Sequence, residues 1–90
     1  MNYEVVFTKH ALKDWEALQA SSNQNLVLRA RVFIELVRSS PFVSPPPFKK
    51  LNGEFSGLLT RRLSREHRFV YQVYEVKRTV KIVSVWGHFT

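Results

Sequence analysis

Apolar and polar residues alternate differently in successive parts of the chain, and the changes of period mark its elements. Tyr3–Phe7 (Tyr-Glu-Val-Val-Phe) is short, β-branched and aromatic, which predicts a strand. Thr8 then offers an N-capping hydroxyl, and Ala11, Leu12, Trp15 and Leu18 recur at helical spacing. This predicts an amphipathic helix of about three turns, ending near Ser21-Ser22. In the next segment Leu26, Ala30, Phe33, Ile34 and Val37 fall on one stripe, with Arg29, Arg31 and Glu35 off it, predicting a second helix. Ser39-Ser40-Pro41 stops it, because proline lacks an amide donor and disfavours the α conformation in the preceding residue. Pro41 to Gly53 is irregular and stiffened by three consecutive prolines. A loop this long in a small chain is more often functional than a plain spacer.

The remainder reads as β. Gly57–Leu63, His67–Glu75 and Thr79–Phe89 are strand-like, separated by the short turns Ser64-Arg65-Glu66 and Val76-Lys77-Arg78, so they form an antiparallel meander. Two short helices cover only one face of a sheet. The expected architecture is α+β: an N-terminal strand, two helices packed on one face of an antiparallel sheet, and a three-stranded C-terminal meander with its other face open. Ninety residues hold one core, so residues 1–90 form a single domain.

Residues two apart share a sheet face, which sorts the side chains. Leu58, Thr60 and Arg62 oppose Leu59, Arg61 and Leu63; Arg68, Val70, Gln72 and Tyr74 oppose His67, Phe69, Tyr71 and Val73. In the last strand Ile82, Ser84, Trp86 and His88 oppose Val83, Val85 and Phe89. One consistent assembly puts Arg62, Arg68 and His88 together on the open face, with Phe69, Tyr71, Val83 and Val85 toward the helices. Lys49 and Lys50 arrive from the proline loop at the same surface.

Charge adds direction to that pattern. The chain carries a net +7, divided unevenly: five basic against four acidic residues in 1–45, and nine against three in 46–90. A basic half favours a polyanionic partner, since every phosphate neutralised also releases condensed counterions. A set of two arginines and a histidine suits cleavage of a phosphodiester by its own 2′-hydroxyl, with arginine stabilising charge on phosphorus and histidine protonating the leaving oxygen. The same residues also fit an ordinary solvated sheet face, and the pattern alone leaves both readings open. His10 reads as plain helix surface and His67 as a turn or packing residue. With no cysteine and no clustered His or carboxylate ligands, neither a thiol nucleophile nor a metal or other cofactor is expected. The N-terminus shows no secretory pattern and no apolar run approaches the roughly 20 residues of a membrane span, so a cytoplasmic protein is expected.

The central run Pro46-Pro-Phe-Lys-Lys-Leu-Asn-Gly-Glu-Phe-Ser-Gly-Leu-Leu-Thr-Arg-Arg-Leu-Ser-Arg-Glu-His-Arg-Phe-Val-Tyr71 resembles the Txe/YoeB branch of the RelE-type toxins of bacterial type II toxin–antitoxin systems. The pattern there is a Leu-to-Ser-Gly stretch, here Leu51 to Gly57, then Thr60-Arg61-Arg62-Leu63 and Glu66-His67-Arg68-Phe69-Val70-Tyr71. The ending Val85-Trp86-Gly87-His88-Phe89-Thr90 is similar to the family's aromatic-x-His-Tyr. The likeness implies a small RelE/ParE-like fold and a ribosome-dependent mRNA endonuclease. By it, Arg62 and Arg68 hold the scissile phosphate and His88 is the general acid. Lys49 stands where the family carries a Glu base, and Phe89 replaces the terminal Tyr and lacks its hydroxyl. Lys49, Arg62, Arg68, His88 and Phe89 are thus the candidate catalytic set, and Lys50, Arg61 and Arg65 the candidate contacts to RNA or ribosome.

The implied partners are the ribosome with its mRNA and an acidic YefM/Axe-like antitoxin, whose flexible segment folds onto the basic face. Operator DNA is reached only through the antitoxin complex, and a homodimer is consistent with the family. Two other functions compete: a RelE-fold binding module without cleavage, from which Lys49 is the residue that discriminates the endonuclease, and a ParE-like gyrase poison. The Arg62, Arg68 and His88 set argues against the latter, whose members generally lack it.

Overall fold

The computed structural model describes residues 2–87. Strand β1 (Glu4–Phe7) runs into helix α1 (Lys9–Ala20), followed by helix α2 (Gln24–Ser39). Strand β2 (Phe48–Lys50), a single 3-10 turn (Gly53–Phe55), β3 (Leu59–Arg62), β4 (Arg68–Tyr74) and β5 (Thr79–Gly87) complete the chain. The strands form one sheet in the order β1-β5-β4-β3-β2. The architecture is the expected α+β, with two additions. β1 joins the sheet edge parallel to β5, so the sheet is mixed. Three residues of the proline loop form β2, pairing antiparallel with β3, where the sequence shows only irregular chain. A three-residue strand has too short a pattern to read; its main chain is recruited by the edge of β3. No helix is long and apolar enough to cross a membrane.

Both helices start on a side-chain cap. The Thr8 hydroxyl accepts from the Ala11 amide at 3.0 Å and Asn23 Oδ1 from the Leu26 amide at 3.2 Å, each satisfying an amide that the first turn leaves open. Helix α2 buries Val27, Ala30, Phe33, Ile34 and Val37, a stripe at i, i+3 and i+7 spacing. Helix α1 buries Ala11 and Leu18. Against them pack Leu59, Leu63, Phe69, Tyr71, Val80, Ile82 and Val85. Phe33 meets Phe69 edge-on with centroids 5.6 Å apart. Each such fully buried side chain contributes about 1.5–3 kcal/mol.

The last strand departs from strict alternation. Val70 pairs with Ser84 while the next residue, Tyr71, pairs with Ile82, leaving Val83 as an extra residue in β5. Ile82 and Val85, three apart, therefore both reach the core. The expectation that Val83 joins Val85 on the helix side is corrected: Val83 is only half-buried and Ile82 takes its place. The cause is Asp14 on α1, whose Oδ2 accepts from Ser84 Oγ at 2.9 Å, the Val85 amide at 3.1 Å and the Trp86 amide at 3.4 Å. The carboxylate satisfies donors that the bulge takes out of the ladder.

Candidate active site

Sheet register builds the site on the face away from the helices. Lys49 pairs with Thr60, and Arg62, two residues further along β3 on the same face, pairs directly with Arg68 of β4. Gly87, at the end of β5, pairs with Arg68 from the other side. The three cations come together around a concavity of ≈ 180 Å³ lined by Pro47, Phe48, Lys49, Thr60, Arg62 and Arg68. Among the described residues no carboxylate lines it. Lys49 and Arg62 are exposed and Arg68 half-buried. Like charges directly opposite on adjacent strands are unfavourable. Arg62 facing Arg68 is therefore a pairing that an anion in the concavity would relieve, and among the described residues neither arginine has an ion-pair partner to do so.

Of the expected catalytic set, the fold brings together Lys49, Arg62 and Arg68. His88 and Phe89 lie outside the described residues. Pro47, Phe48 and Thr60 were not singled out from the sequence; the i, i+2 relation of Thr60 to Arg62 marks Thr60, but nothing in the pattern marks the two loop residues. Among the expected RNA contacts, Lys50 is exposed but pairs with Leu59, which places it on the opposite pleat from Lys49. Arg65 is exposed in the turn between β3 and β4.

Arg61 is corrected. Expected as an RNA or ribosome contact, it is 1% exposed and faces the helix side of the sheet. Its Nε donates to the Tyr71 hydroxyl at 3.1 Å, and Nη2 donates to the Pro41 and Val43 carbonyls at 3.0 and 2.8 Å. Nη1 donates to the Pro46 carbonyl. The guanidinium also lies over the Phe48 and Tyr71 rings, 5.1 and 5.8 Å from their centroids. A buried cation is tolerated only when its donors are this fully met. The Tyr71 hydroxyl in turn donates to Pro41 O at 2.6 Å, and burial raises this phenol above its ordinary value, with the nearby Arg61 charge opposing. The signal for this role was present in the sequence: Arg61 shares its pleat with Leu59 and Leu63, which are core residues.

His67 is held as a turn residue. Its Nδ1 lies 2.9 Å from Ser64 Oγ and its ring 5.6 Å from that of Trp86. His10 Nε2 sits 3.4 Å from Asp14 on the exposed side of α1.

Comparison with known proteins bears on the fold and the family. No curated protein matches the chain in sequence. Among solved structures, a YoeB/ParE toxin from Agrobacterium tumefaciens is 26% identical, with a TM-score of 0.86 over 96% of this chain and 99% of that one. The YoeB dimer from Staphylococcus aureus shares the fold at 23% identity and TM-score 0.80, covering 99% of this chain and 100% of that one. The YoeB–YefM complex from the same organism does so at 24% identity and TM-score 0.79, with the same coverage. The family model for the YoeB-like toxin of bacterial type II toxin–antitoxin systems matches residues 7–89. The chain belongs to that family of toxins.

Proposed function

We propose that this toxin is a ribosome-dependent mRNA endonuclease that works in the cytoplasm and cuts by attack of a 2′-hydroxyl on the adjacent phosphodiester. The observation that carries the reading is the convergence of Lys49, Arg62 and Arg68 on one concavity, which no carboxylate lines among the described residues. In the reaction the O2′–P bond forms as the 2′-hydroxyl proton passes to solvent water, and the P–O5′ bond breaks, leaving a 2′,3′-cyclic phosphate and a 5′-hydroxyl. Arg62 and Arg68 stabilise the charge gathering on the phosphoryl oxygens, which their forked donors suit. His88, following Gly87 beside Arg68, gives its proton to the leaving O5′. Phe89 completes the set as an aromatic ring without a hydroxyl. Lys49 clamps phosphate where family members carry a carboxylate base, so catalysis rests on charge stabilisation and the activity is modest.

Lys50 and Arg65, both exposed, add contacts to RNA or ribosome phosphates outside the concavity. An acidic YefM-like antitoxin neutralises the same basic face, folding onto it as charges pair. Operator DNA is bound only through that complex, and the free toxin is a homodimer. Induced expression with mapping of mRNA 5′ ends tests the reading. Cuts clustered within translated codons are expected; growth arrest without cuts overturns it in favour of another target, with accompanying DNA damage pointing to gyrase poisoning.

A further inference from the structure

We infer that Arg61 and Tyr71 are positioning residues that set where Lys49 stands in the site, although both point to the other side of the sheet. The inference rests on reading the concavity as the phosphate site. Lys49 lies on a three-residue edge strand, and an edge this short holds its register poorly. The preceding chain, Pro41 to Pro47, has no ladder of its own. It is held instead through its carbonyls. The Arg61 guanidinium binds the oxygens of Pro41, Val43 and Pro46, and the Tyr71 hydroxyl binds Pro41 O a second time. Arg61 also pairs with Phe48 across β2 and β3, and its guanidinium lies over the Phe48 ring, so the clasp grips the residue next to Lys49.

The arrangement divides labour between two consecutive arginines. Arg62 faces the site, while Arg61 faces inward and fastens the loop that delivers the opposing cation. Charge-assisted bonds to carbonyls are among the stronger ones available to a side chain, and the planar fork of five donors reaches four acceptors here, the Tyr71 hydroxyl and three carbonyls, one more than the three N–H bonds of an ammonium serve. Lysine therefore does not replace Arg61. Loosening the clasp displaces Lys49 without removing it, and displacements of about 1 Å in a positioned group cost as much as 10²-fold in rate.

The test is a double-substitution cycle of wild type, Lys49→Ala, Tyr71→Phe and the pair, each first shown to be folded by circular dichroism. Tyr71→Phe is the primary variant because it keeps the ring in the core and removes only the hydroxyl; Arg61→Lys is the second. Each protein is assayed for mRNA cleavage on purified ribosomes and for binding of a single-stranded RNA blocked by 2′-O-methylation. Tyr71→Phe is expected to lower kcat about tenfold at nearly constant KM, and Arg61→Lys about 10²-fold. Lys49→Ala alone costs about 10²-fold but only about tenfold in the Tyr71→Phe background, because the clasp acts through Lys49 and the pair falls no lower than Lys49→Ala alone. Additive effects overturn the inference, since a clasp that serves only stability lowers the folded population of both backgrounds alike. Wild-type kcat in both clasp variants overturns it too. Should the wild type fail to cleave at all, the endonuclease reading falls and the blocked RNA decides the clasp by itself. Coupling between Tyr71 and Lys49 in its affinity supports the clasp; independent losses refute it.

Discussion

Replacing Arg62 by Gln removes one of the three cations around the concavity while leaving its stem and its strand pairing in place. Lys49, Arg62 and Arg68 line that surface together, and Arg62 is exposed, so the change creates no buried void. Binding to a single strand loses affinity with salt at a logarithmic slope of about −0.7 per phosphate neutralised, so three contacts give a slope of about −2. Between 50 and 200 mM salt, wild type should therefore lose about 20-fold in affinity and Arg62→Gln about sevenfold, at a slope near −1.4. The assay is fluorescence anisotropy on a short 2′-O-methylated RNA at four salt concentrations. Lys77→Gln is the control, because Lys77 is exposed in the turn beyond the far end of β4 from Arg68 and should leave the slope unchanged. Equal slopes for wild type and Arg62→Gln, or an equal fall for Lys77→Gln, would show that net charge alone attracts the RNA and that the concavity is no phosphate site.

Asp14→Ala should destabilise the protein by about 2–4 kcal/mol in urea unfolding, because three donors of the β5 bulge lose one half-buried carboxylate. Asp14→Asn, which keeps an accepting oxygen, should recover most of the loss; equal losses would mean that the bulge does not depend on acceptance there. Stability should also fall at alkaline pH. Burial raises the Tyr71 phenol, and a hydrogen bond to Glu75 raises that of Tyr3, so in both cases the folded state holds the proton more tightly than the unfolded chain. That contribution is fully present below about pH 10 and is lost as pH rises through the higher folded values. Urea midpoints from pH 8 to 12 should drop less steeply in Tyr71→Phe than in wild type.

Both helices, the Thr8 cap and the meander were legible because each expresses its period over many residues, whereas the Asn23 cap of α2 was not read. Thr8 in α1 and the Ala30-to-Val37 stripe of α2 illustrate this, although the stripe begins at Val27 rather than at the expected Leu26. Two features were hidden because they depend on distant partners. The bulge at Val83 exists because a carboxylate from α1 satisfies it, so alternation within β5 assigned Ile82 to the wrong face. Strand β2 exists because β3 offers an edge and Arg61 holds the loop, neither of which the sequence of Phe48-Lys49-Lys50 expresses. The site was legible in part for the same reason. Arg62 and Arg68 follow from alternation and pairing, whereas Arg61 was misread by its charge although its place between Leu59 and Leu63 put it in the core.

The central claim is the cleavage itself, and its most direct measurement is the chemistry of the ends produced. Purified toxin, ribosomes and a defined mRNA should give fragments with 5′-hydroxyl and 2′,3′-cyclic phosphate termini. His88→Gln should lower the rate by about 10²–10⁴ with ribosome affinity little changed, and Arg68→Ala should lower the rate by a similar factor. Fragments with 5′-phosphate ends, or His88→Gln and Arg68→Ala cutting at the wild-type rate, would contradict the account.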